Sequence, residues 1–367
     1  MAGLSAAAQL SSIGYETTVV ERSPRLRLTG SPIDVRGEAL QVVADMGILD
    51  KIRANRVSVD ERTVFTTFVD PDGNTAAQLP LEMANDSDDD IEISREALVD
   101  ILHGAIGDSV DFNYQDGPLS LTQDADRVAV EFTSGKKVDF DIVVGADGIH
   151  SSVRRLVMGP ESEYRKHLGV YYAIIDLRPG TQGISNESRT FNAPGCMVGI
   201  NDYGDRSYGV FAFLAPEIDY DYRSSTSQKQ LLMDAFSNVT GWHVPYLLEE
   251  VQVAKDIYFD SVSQVHMPNW SRGRVVLLGD AAHASSLFSG RGTSLAMMGA
   301  ALLAEELAAA GQDHHGAFAA YEARLRPKVL RAQQGVMEAR DFMVPASQEA
   351  IDARNRRFEN RNSTRHR

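Results

Sequence analysis

The chain has 367 residues, 43% hydrophobic and 24% charged, which leaves room for two domains or one large two-part α/β unit of ordinary globular composition. A net charge of −15 argues against a nucleic-acid partner, whose footprint is a basic patch. One cysteine, Cys196, permits no internal disulfide and fits a reducing cytoplasm; no uninterrupted apolar run approaches the ~18 residues of a membrane span, and "MAGLSAAAQL" lacks the basic start of a secretory signal.

The opening "MAGLSAAAQLSSIGYETTVVERSP" predicts a helix through Leu10, a stop at Gly14 and a short strand over Thr17 to Val20, with Glu21 and Arg22 at its end. Gly3 stands where the last glycine of a dinucleotide-binding G-x-G-x-x-G turn would be, and Glu21 where an acid would meet ribose hydroxyls. The other two glycines and the first strand would lie before Met1, so that strand is expected upstream. Further on, "NDSDDDIE" (Asn85 to Glu92) is an acidic, solvated loop without the ligand order of a metal site. The run Val138 to Val144 predicts one strand, followed by the tight turn Gly145-Ala146-Asp147-Gly148 and a helix starting over Ser151 to Val157.

From about Tyr164 to Val265, β-branched and aromatic segments separated by Gly, Pro, Asn and Asp predict an antiparallel sheet. Its aromatics Tyr171, Phe191, Phe211 and Phe213 fit sheet core before pocket, and Cys196 fits a buried thiol before a nucleophile. Val275 to Leu278 predicts a buried strand ending in Gly279-Asp280. A loop with Gly290 and Gly292 then leads into an Ala-, Leu- and Met-rich helix. After Leu307 the spacing is helical but interrupted at Pro327; His314-His315 is a poor metal signal, Ala350 to Phe358 fits a last helix, and the rest frays.

Together the motifs "GADGIHSSVR" and "GRVVLLGDAAH...SGRGTSLA", with the partial glycine turn and Glu21, resemble the flavin-dependent aromatic monooxygenases of the para-hydroxybenzoate hydroxylase fold. "SPIDVRGEALQVVADMGILDKI" and "YFDSVSQVHMPNWSRGRVVLLGD" are similar to the tetracycline-inactivating branch. The resemblance implies an α/β fold: a Rossmann-like FAD-binding domain (1–70, 90–160, 266–310) interleaved with an antiparallel-sheet substrate domain (71–89, 161–265), then C-terminal helices (311–367). It implies FAD contacts from Gly3, Glu21, Arg22, Arg36, Arg95, Asp147, Gly148, Asp280, Gly290, Gly292 and Thr293, with Asp280 on a ribityl hydroxyl. The helix start at Gly290 to Thr293 would stabilise the anionic edge of reduced flavin. Phe191, Phe213 and Phe288 are the substrate-pocket candidates, and the 335–358 region would border the substrate entrance. Arg154 is either structural or related to the pyridine nucleotide. His283 fits a loop histidine before a general base, and Arg291 stands where relatives often carry Gln.

The implied activity is NAD(P)H- and O2-dependent hydroxylation of a polycyclic aromatic or enolic substrate, tetracycline foremost, by a cytoplasmic monomer without nucleic-acid or membrane partners. No catalytic side chain or metal is implied, because the flavin carries the chemistry. A monooxygenase of aromatic polyketides is the alternative, and a non-catalytic binding protein with an impaired FAD site is the rival of another class. A flavin-dependent halogenase would carry W-x-W-x-I-P, and the only tryptophans here are Trp242 and Trp270.

Overall fold

The computed structural model describes residues 1–25, 32–57, 64–107, 110–221 and 224–364. In chain order its elements begin with α1 (Ala2–Ser12), β1 (Thr17–Glu21), β2 (Ile33–Val35), α2 (Glu38–Asp45), α3 (Leu49–Ala54), β3 (Val64–Val69), β4 (Thr75–Pro80), β5 (Ile91–Ile93) and α4 (Arg95–Gly104). Next are β6 (Val110–Tyr114), β7 (Pro118–Gln123), β8 (Val128–Phe132), β9 (Lys137–Phe140), β10 (Val143–Gly145), α5 (Ser152–Val157), β11 (Arg165–Leu177), β12 (Ser188–Ala193), β13 (Cys196–Asp202) and β14 (Ser207–Leu214). The chain closes with α6 (Ser225–Phe236), α7 (Val244–Val253), β15 (Tyr258–Val265), β16 (Ser271–Arg272), β17 (Val275–Leu277), α8 (Asp280–His283), α9 (Gly292–Ala310), α10 (His314–Gln333), α11 (Val336–Met343) and α12 (Gln348–Thr364).

Two compact units divide the chain: Met1–Arg56 with Asp89–Lys166 and Ser263–Gln334, and Val57–Asp88 with His167–Val262 and Gly335–Arg367. Residues 57–70 therefore fall in the second unit, and the helices after 310 are shared, α10 in the first and α11 and α12 in the second, where the sequence sets 311–367 apart.

In the first unit β1 pairs with β6 in parallel, from Thr17↔Val110 to Glu21↔Tyr114. β10 pairs with β17 in parallel, from Val143↔Val275 to Gly145↔Leu277, and both are short apolar runs, as buried parallel strands should be. The predicted single strand over Val138 to Val144 is two strands. β9 zips antiparallel onto β8, the chain breaks at Asp141-Ile142, and β10 joins a different sheet. Periodicity carries no information about which partner a strand will find. α9 buries Leu295, Leu303 and Leu307 among others against α1 and α10, each such side chain contributing about 1.5–3 kcal/mol. By length and composition α9 could cross a membrane; Glu305 and Glu306 break its apolar run, and 56% of that stretch is buried. α10 continues through Pro327, the buried stripe Phe318, Tyr321, Leu325 and Val329 offsetting one lost hydrogen bond.

The second unit is built on a seven-stranded sheet, order β15-β11-β14-β13-β12-β3-β4. The strands β11 to β14 pair antiparallel, as expected, and β3, from outside the expected stretch, joins β12 in parallel from Arg189↔Thr67. Alternation puts Tyr171, Phe191, Val198, Phe211 and Phe213 on one face, under Leu232 and Phe236 of α6 and Leu247 and Val251 of α7. α12 extends to Thr364, beyond the predicted end at Phe358, and Phe358 packs on Phe68, Ala77 and Leu79; 365–367 lie outside the described residues.

Candidate cofactor site

Four helix starts converge in the first unit. The strand β17 delivers Gly279, whose backbone approaches α1 so closely that an added Cβ would lie 2.7 Å from Ala2 Cβ. Asp280, the first residue of α8, is exposed at this point. A Cβ on Gly292, the first residue of α9, would sit 4.0 Å from Asp280 Oδ1, and one on Gly3 would sit 3.7 Å from Ala146 Cβ. α1 also packs against α4, whose first residue is Arg95.

The donors at this junction are uncommitted in a specific way. α9 has no side-chain hydrogen bond at its N-cap, so the first-turn N–H groups of this 19-residue helix have no side-chain cap. Arg95 opens α4 after β5, capped by Ser94, and its Nε is buried without a hydrogen-bond partner. Glu21 Oε1 accepts from Ser23 N–H at 2.8 Å at the end of β1, and exposed Arg22 lies over Gly117.

Arg36 is anchored rather than free. It pairs with Asp34 at 2.8 Å and lies 3.9 Å from Asp90, and its N–H donates to Ser294 Oγ at 2.9 Å, fixing β2 to the first turn of α9. Because β2 and β5 run antiparallel, Arg36 and Arg95 stand at opposite ends of that ladder. The guanidinium faces Gly290, whose φ of 62° is left-handed; an added Cβ there would be 3.7 Å from Arg36 Cζ, a contact without a clash. Thr293 follows in α9, half-buried, and Phe288 sits half-buried in the single turn Leu287–Ser289 before Gly290. Ser294, Asp34 and Asp90 were not legible as site residues, since nothing local marks a pair 258 residues apart in sequence.

Other candidates have different roles. Both carboxylate oxygens of Asp147 cap α5: one accepts from Ser151 Oγ, the other from Ser152 N–H at 2.6 Å and Val153 N–H at 3.1 Å. Its charge therefore organises the turn through Gly148 rather than standing open. Arg154 is fully buried and donates to Ala281 O at 3.0 Å, Ile149 O at 2.5 Å and Glu161 Oε2 at 3.3 Å, tying the D-G turn to α8. His283 is not in a loop: it ends α8, 2% exposed, and burial holds its pKa down at about 4, so it is neutral. Phe191 and Phe213 lie in the helix-covered core of the second unit, where Phe213 stacks on Tyr171 at 5.5 Å. That is the core role; Phe213 also borders a cavity of about 330 Å³ beside Cys196, Leu231 and Asp234.

A junction of an uncapped helix start, a half-buried arginine with a buried Nε, and strand-end carboxylates suits a ligand that is anionic in one part and rich in hydroxyls in another. The chain belongs to the FAD-binding-domain family of class A flavoprotein monooxygenases, whose profile matches residues 1–336. An uncharacterised protein of Mycobacterium tuberculosis (strain ATCC 25618 / H37Rv) is 37% identical over 364 residues, covering 96% of this chain and 94% of that one. A flavin-dependent monooxygenase from an unknown prokaryotic organism is 36% identical over 352 residues, covering 94% and 89%. The crystal structure of the tetracycline destructase Tet(51) superimposes with a TM-score of 0.83 at 32% identity, covering 98% of this chain and 93% of that one. The protein is an FAD-dependent monooxygenase, and the unpartnered Arg95 Nε with the uncapped start of α9 fits a cofactor that carries negative charge.

Proposed function

We propose that the enzyme hydroxylates a polycyclic aromatic or enolic substrate of the tetracycline type, using NAD(P)H and O2. The observation that carries this reading is the likeness to a tetracycline destructase over nearly the whole of both chains. When bound, FAD supplies the electron transfer and oxygen activation that no side chain of the protein provides.

The residues supply position and charge. Asp280, exposed beside the first turn of α9, would accept a hydrogen bond from a ribityl hydroxyl, and Glu21 would accept from ribose hydroxyls. Arg95 and the first N–H groups of α1 would hold the pyrophosphate. The N–H groups and positive end of α9 would stabilise negative charge on a bound flavin, and Gly290 leaves that approach free of a side chain. Arg36, neutralised by Asp34, acts as a strut for Gly290 and Ser294 rather than as a ligand.

The test is NAD(P)H oxidation by the FAD-loaded protein with and without tetracycline. Stimulated oxidation with loss of tetracycline supports the reading; oxidation indifferent to tetracycline but stimulated by another aromatic polyketide keeps the class and removes this substrate.

A further inference from the structure

Between the end of α8 and the start of α9, within the first unit, Ser286 holds a backbone conformation that a side chain resists. Its φ is 90° and its ψ 151°, a region that belongs almost wholly to glycine. Such a conformation persists only where the surroundings impose it. Here they do so from both sides.

Upstream, two glutamines clamp the entry to the loop. Gln333, the last residue of α10, donates through Nε2 to Val265 O at 2.9 Å and Ala284 O at 3.1 Å. Buried Gln264 donates through Nε2 to Ser285 O at 3.3 Å and Gln333 O at 2.9 Å, and its Oε1 lies 2.9 Å from His266 Nε2. Downstream, the hub is Ser289. A hydroxyl has one proton and two lone pairs, and Ser289 commits all of them. It donates to Ser286 O at 2.7 Å and accepts from Arg291 N–H at 3.2 Å. Its remaining lone pair meets Ser285 Oγ at 2.8 Å, so Ser285 supplies the proton between those two hydroxyls. Arg291 is the N-cap of α9, and one side chain thus ties the carbonyl of the strained residue to the opening of that helix.

The geometry points to Ser289 as a positioning residue for the flavin: its hydroxyl locks the strained Ser286 backbone to the N-cap of α9 and fixes how that helix presents its positive end. This rests on α9 as the helix that stabilises negative charge on the bound flavin. Donors held in place beforehand stabilise such charge without having to reorganise, and a loose helix start loses that advantage.

The experiment is the midpoint potential of the bound flavin in Ser289→Ala, Ser289→Thr and Gly290→Ala, with urea melts of FAD-free Ser286→Gly and Ser286→Ala. Ser289→Ala is expected to bind reduced FAD about fivefold less well relative to oxidised FAD, a midpoint lower by about 20 mV. Ser289→Thr, which keeps the hydroxyl, restores the potential. The two variants at 286 both lack the hydroxyl, so their difference reads the strain alone. Ser286→Gly should melt at higher urea than Ser286→Ala, the reverse of the order at a site with ordinary φ. A Ser289→Ala potential equal to that of the parent protein, a shift that Ser289→Thr fails to restore, or a Ser286→Ala apoprotein more stable than Ser286→Gly overturns the proposal. Gly290→Ala places a methyl group in the approach to the flavin without removing any hydrogen bond of Ser289. A potential that moves in Gly290→Ala but not in Ser289→Ala removes the Ser289 lock alone; one that moves in neither removes α9 from the flavin and the proposal with it.

Discussion

Replacing Asp280 by alanine isolates the carboxylate on which the cofactor reading turns. Asp280 is exposed at the first position of the four-residue helix α8, so its removal takes away a helix-end charge worth about 0.3–1 kcal/mol and creates no cavity. The stability of the FAD-free protein should therefore fall by no more than roughly 1 kcal/mol. The cofactor loses a charge-assisted hydrogen bond worth about 1.5–3 kcal/mol, which is a dissociation constant raised roughly 10- to 150-fold. Titrating apoprotein with FAD and following flavin fluorescence reads the binding change, and a urea melt of the apoprotein reads the stability change. An unchanged dissociation constant removes Asp280 from the site. Weaker binding accompanied by a matching loss of apoprotein stability would show that Asp280 serves the fold and not the flavin.

Further outcomes follow from individual side chains. His283, with its pKa lowered to about 4 from 6.5 by burial, stays neutral in the fold while the unfolded chain protonates as pH falls through 6.5. The unfolded state then binds more protons, so stability declines between about pH 6.5 and 4, by on the order of 3 kcal/mol, and His283→Phe should lose this part of the decline in urea melts. Arg354, 7% exposed, stacks 3.6 Å over Phe68 and donates to Asn192 Oδ1 and Phe342 O; no carboxylate pairs with it among the described residues, and burial lowers its pKa to about 10. Arg354→Met should destabilise the second unit by about 1–3 kcal/mol through the acceptors it leaves, and an unchanged melt would show that relief of the buried charge offsets them. The Cys196 thiol, pushed up by burial to about 11, should react with iodoacetamide many times more slowly in the native protein than in urea, and equal rates would contradict its half-buried position.

Strand-turn-helix motifs were legible because they are local. Val275 to Leu278, the turn at Gly279 and the helix beyond Gly292 are each written within a few residues, and so is the glycine-lined approach to Asp280. What Asp147 does was not legible: an Asp-Gly turn and a capping carboxylate look alike until Ser151, Ser152 and Val153 fold back onto it. The period-two alternation groups Phe191 and Phe213 with their neighbours on one face, but only packing decides that α6 and α7 cover that face. The anchoring of Arg36 depends on Asp90 and Ser294, which lie in other segments, and sequence spacing is blind to such partners. For the same reason His283 looked like loop, since its burial comes from Trp270 and other residues outside its own motif.

The most direct test of the account is turnover under isotopically labelled O2, with FAD-loaded protein, NADPH or NADH, and tetracycline. The account predicts a product heavier than tetracycline by one oxygen atom, carrying the label, with O2 consumed in step with reduced nicotinamide. Reduced nicotinamide consumed only to hydrogen peroxide, with tetracycline recovered intact, would contradict the proposed substrate. No oxidation of either nicotinamide by the FAD-loaded protein, with tetracycline or any other aromatic polyketide present, would contradict the proposed use of NAD(P)H.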